Sequence, residues 1–211
     1  MLIIIEGVDG SGKSGLCDSL ADEMGAKVVH SSNCTPSLPG MLNEMRSDIG
    51  VYAPFHFMHY IEAAAGYMGE VKSCLARGID VILDRYIYST RVTHKVFDSL
   101  YGGGRHVGQM DRLSDIAESA LPIPDLVVLV TIGDKERRER LLLRKGNNSI
   151  DDDPRLISAF REGFREDLKR LARKGMTTIE VDNSGRFGDT KAEIRRVIEE
   201  ARPKNTMRVR V

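Results

Sequence analysis

The chain of 211 residues suits one α/β domain with its own core and is too short for two of ordinary size. Its 31 Lys plus Arg balance 31 Asp plus Glu, so net charge gives no reason to expect a nucleic-acid or membrane partner. The three cysteines, Cys17, Cys34 and Cys74, lack C-x-x-C spacing and suit free thiols in a reducing cytoplasm; no run nears the ~20 apolar residues of a membrane span.

Ile3 to Ile5 reads as a buried central strand, and Glu6 ends the apolar run too early for a signal peptide. The segment Gly7-Val8-Asp9-Gly10-Ser11-Gly12-Lys13-Ser14 then fits G-x-x-x-x-G-K-[ST] at every fixed position. Its glycines permit backbone angles that turn successive N–H groups inward around phosphate oxygens. Lys13 opens a helix whose N-terminus favours the anion, and Ser14 is placed to hold Mg²⁺. With a β-branched strand before and the helix former Leu16 to Met24 after, the context of a P-loop is complete, and the chain is expected to bind a nucleoside triphosphate.

The first helix stops at Gly25, and Lys27 to His30 is a second strand. Ser31 to Gly40 has loop composition, and Pro39 is expected to open a short helix to about Ile49. Pro54 is expected to begin a long helix to Leu75, and Val81 to Leu83 is a third buried strand ending at Asp84. Tyr86 to Leu100 and Gln109 to Ala120 read as helices around a Gly102-Gly103-Gly104 break. Leu126 to Ile132 is the most hydrophobic strand, followed by a charged helix capped by Asp134 and running to Arg144. Asp153-Pro154 starts a helix to about Lys174; Thr177 to Val181 is the fifth strand, and Asp189 to Ala201 the last helix. Continuous apolar strands alternating with helices predict a parallel sheet covered on both faces, with ligands at its C-terminal edge.

Asp84-Arg85-Tyr86 at the end of the third strand pairs an acid able to order a Mg²⁺ shell with an arginine able to grip a phosphate bidentately. Arg85 and Arg91 together point to an acceptor that already carries a phosphate. No N-K-x-D tetrad reads guanine, which argues against a GTPase-type switch. His56 and His59, three apart on a helix without a third ligand, read as pocket or core rather than metal ligands.

With these residues in hand, the chain resembles the thymidylate kinase family of P-loop nucleoside monophosphate kinases. Glu6 to Lys13 match E-G-x-D-G-x-G-K, Asp84-Arg85-Tyr86 match D-R-Y, and Ser89 matches the serine that follows. Tyr101 to Arg105 partly match Y-Q-G-G-G-R, and Pro124-Asp125-Leu126 match P-D-L. The resemblance implies a three-layer P-loop kinase fold, with a five-stranded parallel sheet and a short lid at about 144–155, in a single domain over 1–211. It implies transfer of the ATP γ-phosphate to a deoxynucleoside monophosphate, dTMP first, in a homodimeric enzyme using Mg²⁺. Another pyrimidine deoxynucleotide or a free deoxynucleoside is the alternative acceptor. It places Lys13, Asp9, Arg85 and Arg144 in catalysis, Arg144 as the lid cation because Gly10 leaves the loop without its own arginine. ATP falls to Gly7 through Ser14 with Arg140 and Asn183; the acceptor falls to Asp9, Phe57, Tyr60, Arg85, Ser89 and Tyr101; the metal falls to Ser14 and Asp84. The chain departs from the family in having no arginine between Tyr52 and Val71 to read thymine, Gly15 where threonine is usual, Val92-Thr93-His94 for Ala-Tyr-Gln, and Thr131 for an aspartate.

Overall fold

In the computed structural model, residues 1–31, 49–143 and 153–202 are described, with backbone alone at 49–53. Five parallel strands, β1 (Leu2–Glu6), β2 (Lys27–His30), β3 (Val81–Asp84), β4 (Leu126–Thr131) and β5 (Thr177–Asp182), lie in the order β2-β3-β1-β4-β5. The register sets Ile5 beside Asp84 and Val128, and Glu6 beside Leu129. The catalytic candidates of β1 and β3 therefore leave the sheet at the same level. Because β1 sits between β3 and β4, the chain leaves it at the point where the strand order reverses, which is where open α/β sheets form their ligand crevice.

Every residue of β1 is buried, as a two-faced strand requires. Its alternate side chains feed two cores. Leu2 and Ile4 pack with Leu83 and Val127 under α2 (Ile49–Ala76) and α3 (Ile87–Tyr101). Ile3 and Ile5 pack with Ile82, Val128, Leu16 and Leu20 under α1 (Lys13–Met24) and α7 (Phe187–Ala201). The remaining helices are α4 (Val107–Ala120), α5 (Asp134–Leu142) and α6 (Pro154–Arg173).

Three local expectations are corrected. The long helix starts at Ile49 and runs through Pro54. A proline this near the N-terminus removes a single i→i−4 bond, a small loss beside the apolar face the helix buries. Asp134 is the first residue of α5, and Gly133 is its N-cap. Arg91, expected toward the acceptor phosphate, is engaged by carboxylates. It pairs with Asp167 and, at 2.6 Å, with Asp111, in a network that Arg170, Glu118 and Lys174 continue across α3, α4 and α6. The helix expected from Pro39, the lid residues 144–152 and Cys34 lie outside the described residues.

Candidate active site

The loop after β1 takes its shape from close backbone contacts. Gly7 stands at φ 143, and a Cβ there would come within 2.2 Å of the Val130 carbonyl oxygen. Gly12 stands at φ 90 as the N-cap of α1, and a Cβ there would meet Asn183 Nδ2 at 2.5 Å. Both positions thus need glycine for the turn and for the space. The loop is also held from behind. Asn183 Nδ2 and Arg140 Nη1 donate to the Ser11 carbonyl at 2.7 and 3.1 Å, and Arg140 Nη2 donates to the Asn183 carbonyl at 2.7 Å. Arg137 Nε donates to the Asp9 carbonyl at 2.8 Å. Arg140 and Asn183, expected on the ATP side, are therefore brought to the loop as its backbone clamps.

Arg137 escaped the reading of the sequence. A usable signal was present, because Arg137 and Arg140 are one turn apart and share a face of α5.

At the start of α1, the Lys13 ammonium donates to the Val8 carbonyl at 2.8 Å and lies 4.0 Å from the Asp9 carboxylate. Burial, helped by the Arg85 charge, lowers its pKa to about 8. Ser14 Oγ donates to Asp84 Oδ2 at 2.6 Å. His30, at the end of β2, sits between Asp84 and Asp18 with 3.0 Å contacts to each. Asp84 Oδ1 is buried and has no hydrogen-bond partner among the described residues. A hydroxyl, a carboxylate oxygen already in place and a second left over make an all-oxygen set suited to a hard divalent cation completed by phosphates and water.

Arg85 adopts φ 71, a backbone that side-chain-bearing residues rarely take. Its guanidinium donates to Ser89 Oγ at 3.1 Å through Nη1 and pairs with the Asp9 carboxylate through Nη2. The acid, the lysine and the arginine assigned to catalysis thus meet around one loop. Arg144 lies outside the described residues.

The acceptor aromatics part company. Phe57 is fully buried and packs on Met110 with Ile61 and Leu113, so it is core rather than an open stacking face. Tyr60 stays partly exposed, its ring 5.4 Å from that of His94. His94 is buried, and burial lowers its pKa to about 4. Its Nδ1 lies 2.8 Å from the Thr90 carbonyl, which can only accept, so the neutral ring keeps Nε2 as an acceptor. Tyr101 is 52 % exposed at the end of α3, with its hydroxyl 3.5 Å from Asp153 Oδ2. Among the described residues no three His, Cys, Asp or Glu side chains converge as a metal cluster; His56 is buried and His59 half-buried on α2.

A parallel sheet with a phosphate-cradling loop at its reversal point, a buried lysine, a serine–aspartate metal set and a facing arginine define a P-loop phosphotransferase. The sequence profile of the thymidylate kinase family matches residues 5–194, and the chain belongs to that family. It is an ATP-dependent nucleotide kinase. It is 26 % identical over 188 residues to the thymidylate kinase of Leptospira borgpetersenii, covering 86 % of this chain and 85 % of that one. Identity to the thymidylate kinase of Cupriavidus necator is also 26 %, over 200 residues and 93 % and 96 % of the two chains. Among solved structures, a thymidylate kinase from Candida albicans superposes with a TM-score of 0.70 at 22 % identity, covering 94 % of this chain and 91 % of that chain. A deoxyadenosine kinase from M. mycoides superposes at 0.72 with 15 % identity, over 94 % and 100 %. At these identities the two superpositions speak for the fold alone.

Proposed function

We propose that the chain transfers the γ-phosphate of ATP to dTMP, giving dTDP and ADP. The observation that carries the reading is Arg85, strained in its backbone and tethered through Ser89, with its guanidinium directed onto Asp9 beside the P-loop lysine. A cation fixed there suits an acceptor that brings its own phosphate. Lys13 then balances charge on the β- and γ-phosphates, Ser14 and Asp84 hold Mg²⁺, and Asp9 lies within reach of the acceptor sugar. Mg²⁺, when bound there, would neutralise charge on the transferring group. Arg144, in a lid over about 144–155 of a single domain, supplies a further cation on closure. A homodimer and a cytoplasmic setting belong to the same proposal. Phe55 and Met58 exposed on α2 support the first, and the buried free thiols of Cys17 and Cys74 support the second.

Thymine is read without an arginine. Tyr60 offers the stacking face, and the neutral His94, held between the Tyr60 and Phe57 rings, offers an acceptor. An apolar slot separates analogues by only about 1–3 kcal/mol, far less than a site built on a dedicated hydrogen bond. The expected ranking of kcat/KM, measured side by side for dTMP, dUMP, dCMP, dGMP and dAMP, puts dTMP first and dUMP modestly behind. A purine or cytosine nucleotide at the head of that ranking would remove the thymidylate assignment and leave the kinase.

The lowered Lys13 pKa gives a second test. A bound triphosphate surrounds the ammonium with anionic oxygens and raises its pKa. Near pH 8 the free enzyme holds Lys13 about half protonated, so ATP binding there takes up about half a proton. Titration calorimetry in two buffers of different ionisation enthalpy should show this uptake, and Lys13→Met should abolish it. Equal uptake in both proteins would show that Lys13 does not meet the triphosphate.

A further inference from the structure

Glu6 is the last residue of β1 and is 3 % exposed, yet the phosphate chemistry above gives it no part. Its Oε1 accepts the backbone N–H of Tyr86 at 2.9 Å and of Ser89 at 3.2 Å. Its Oε2 accepts the Ser89 hydroxyl. Tyr86 is the N-cap of α3 and has no side-chain cap of its own, so Glu6 caps that helix from the neighbouring strand. Ser89 Oγ in turn accepts from Arg85 Nη1, and Arg85 Nη2 holds Asp9. A continuous chain, Glu6–Ser89–Arg85–Asp9, therefore runs from inside the sheet to the surface of the loop. Its first anchor, the Tyr86 amide, directly follows Arg85, whose φ of 71 needs outside support.

We infer that Glu6 is a positioning residue for the acceptor phosphate, fixing the Arg85 guanidinium through Ser89 and holding the strained turn through the Tyr86 and Ser89 amides. The inference rests on the assignment of Arg85 to that phosphate. The ionised form suits the task. A carboxylate accepts from Ser89, whose hydroxyl proton then points away from Arg85 and leaves a lone pair for the guanidinium.

The charge comes at a cost to the fold. Burial pushes the Glu6 carboxyl up to about 7, against the opposing pull of the Ser89 hydroxyl, Arg85, the Tyr86 amide and Lys13. Arg85 on the β3–α3 turn and Lys13 at the head of α1 are the charged groups that act on it. A folded pKa above the ordinary 4.5 means that the folded chain binds more protons than the unfolded one between those values. Stability from Glu6 thus falls as pH rises through that window, while the grip on Arg85 improves. Stability and acceptor use move in opposite directions, which a purely structural residue would not produce.

The test uses Glu6→Gln, Ser89→Ala, the double variant and Arg85→Ala, with KM for dTMP and for ATP measured from pH 6 to 8.5. The side-chain amide introduced by Glu6→Gln keeps an acceptor for the two backbone N–H groups but turns a donor toward Ser89. This variant should lower kcat/KM for dTMP about ten- to a hundredfold at pH 8, leave the ATP KM unchanged and melt no lower than wild type. The wild-type advantage should shrink as pH falls through 7; the second ionisation of the acceptor phosphate, near pH 6, is common to both enzymes. Ser89→Ala keeps the Glu6 grip on the amides and cuts the link to Arg85, so its loss and that of Glu6→Gln should be strongly non-additive. Wild-type dTMP kinetics in Glu6→Gln, equal damage to both substrates, or additive losses would overturn the inference. If Arg85→Ala itself spares the acceptor, the assignment of Arg85 fails instead, and the two failures are separable.

Discussion

Lys13→Ala is expected to lower kcat by at least about a thousandfold while the protein stays folded, because the variant loses a charge aimed at the transferring phosphoryl group. The Lys13 side chain is 6 % exposed, and its ammonium donates to the Val8 carbonyl, with Asp9 at 4.0 Å. The lowered pKa records that the fold disfavours the buried charge. Removing it therefore relieves a desolvation cost and leaves the Val8 carbonyl with the Ser11 N–H at 3.3 Å, two changes of opposite sign. A thermal melt close to wild type beside a collapsed turnover is the predicted pair of readings. Turnover near wild type in the folded variant would sink the role of the loop in catalysis.

Arg85→Ala should damage the acceptor side, raising KM for dTMP and lowering kcat together, by about a hundredfold or more in kcat/KM, with ATP affinity little changed. A bidentate cation both binds the phosphate and sets its angle of attack, so both constants register its loss. The backbone adds a control. Alanine at φ 71 keeps the strain of the native turn, whereas Arg85→Gly releases it. The two variants should share the kinetic defect and differ in melting temperature, glycine the higher. Loss of ATP binding with acceptor affinity intact would place Arg85 on the wrong substrate.

The loop was fully legible because its chemistry is local. Eight consecutive residues carry the turn, the cation and the metal hydroxyl, and their spacing needs no knowledge of the rest of the chain. The five strands were legible for a similar reason, each a short apolar run between turn signals. What the sequence hid lies across long separations. Arg137 reaches the Asp9 carbonyl 128 residues away, and Asn183, expected on the ATP side, takes that place by holding the Ser11 carbonyl 172 residues away. Arg91 looked like a phosphate ligand because its partners, Asp111 and Asp167, sit on two other helices. Phe57 and Tyr60 share one helical face by spacing, and the packing of Met110 against Phe57 separates a core ring from a partly exposed one. Pro54 marks a helix start in most contexts, and here the buried face of α2 outweighs the one bond it removes.

The most direct test of the central claim is product identification with the wild-type enzyme, ATP and Mg²⁺, offered dTMP or thymidine at equal concentration. ADP release coupled to dTDP formation from dTMP is expected, with turnover on thymidine lower by orders of magnitude because Arg85 has no phosphate to hold. Faster phosphorylation of thymidine to dTMP, or ATP hydrolysis indifferent to either acceptor, would contradict it.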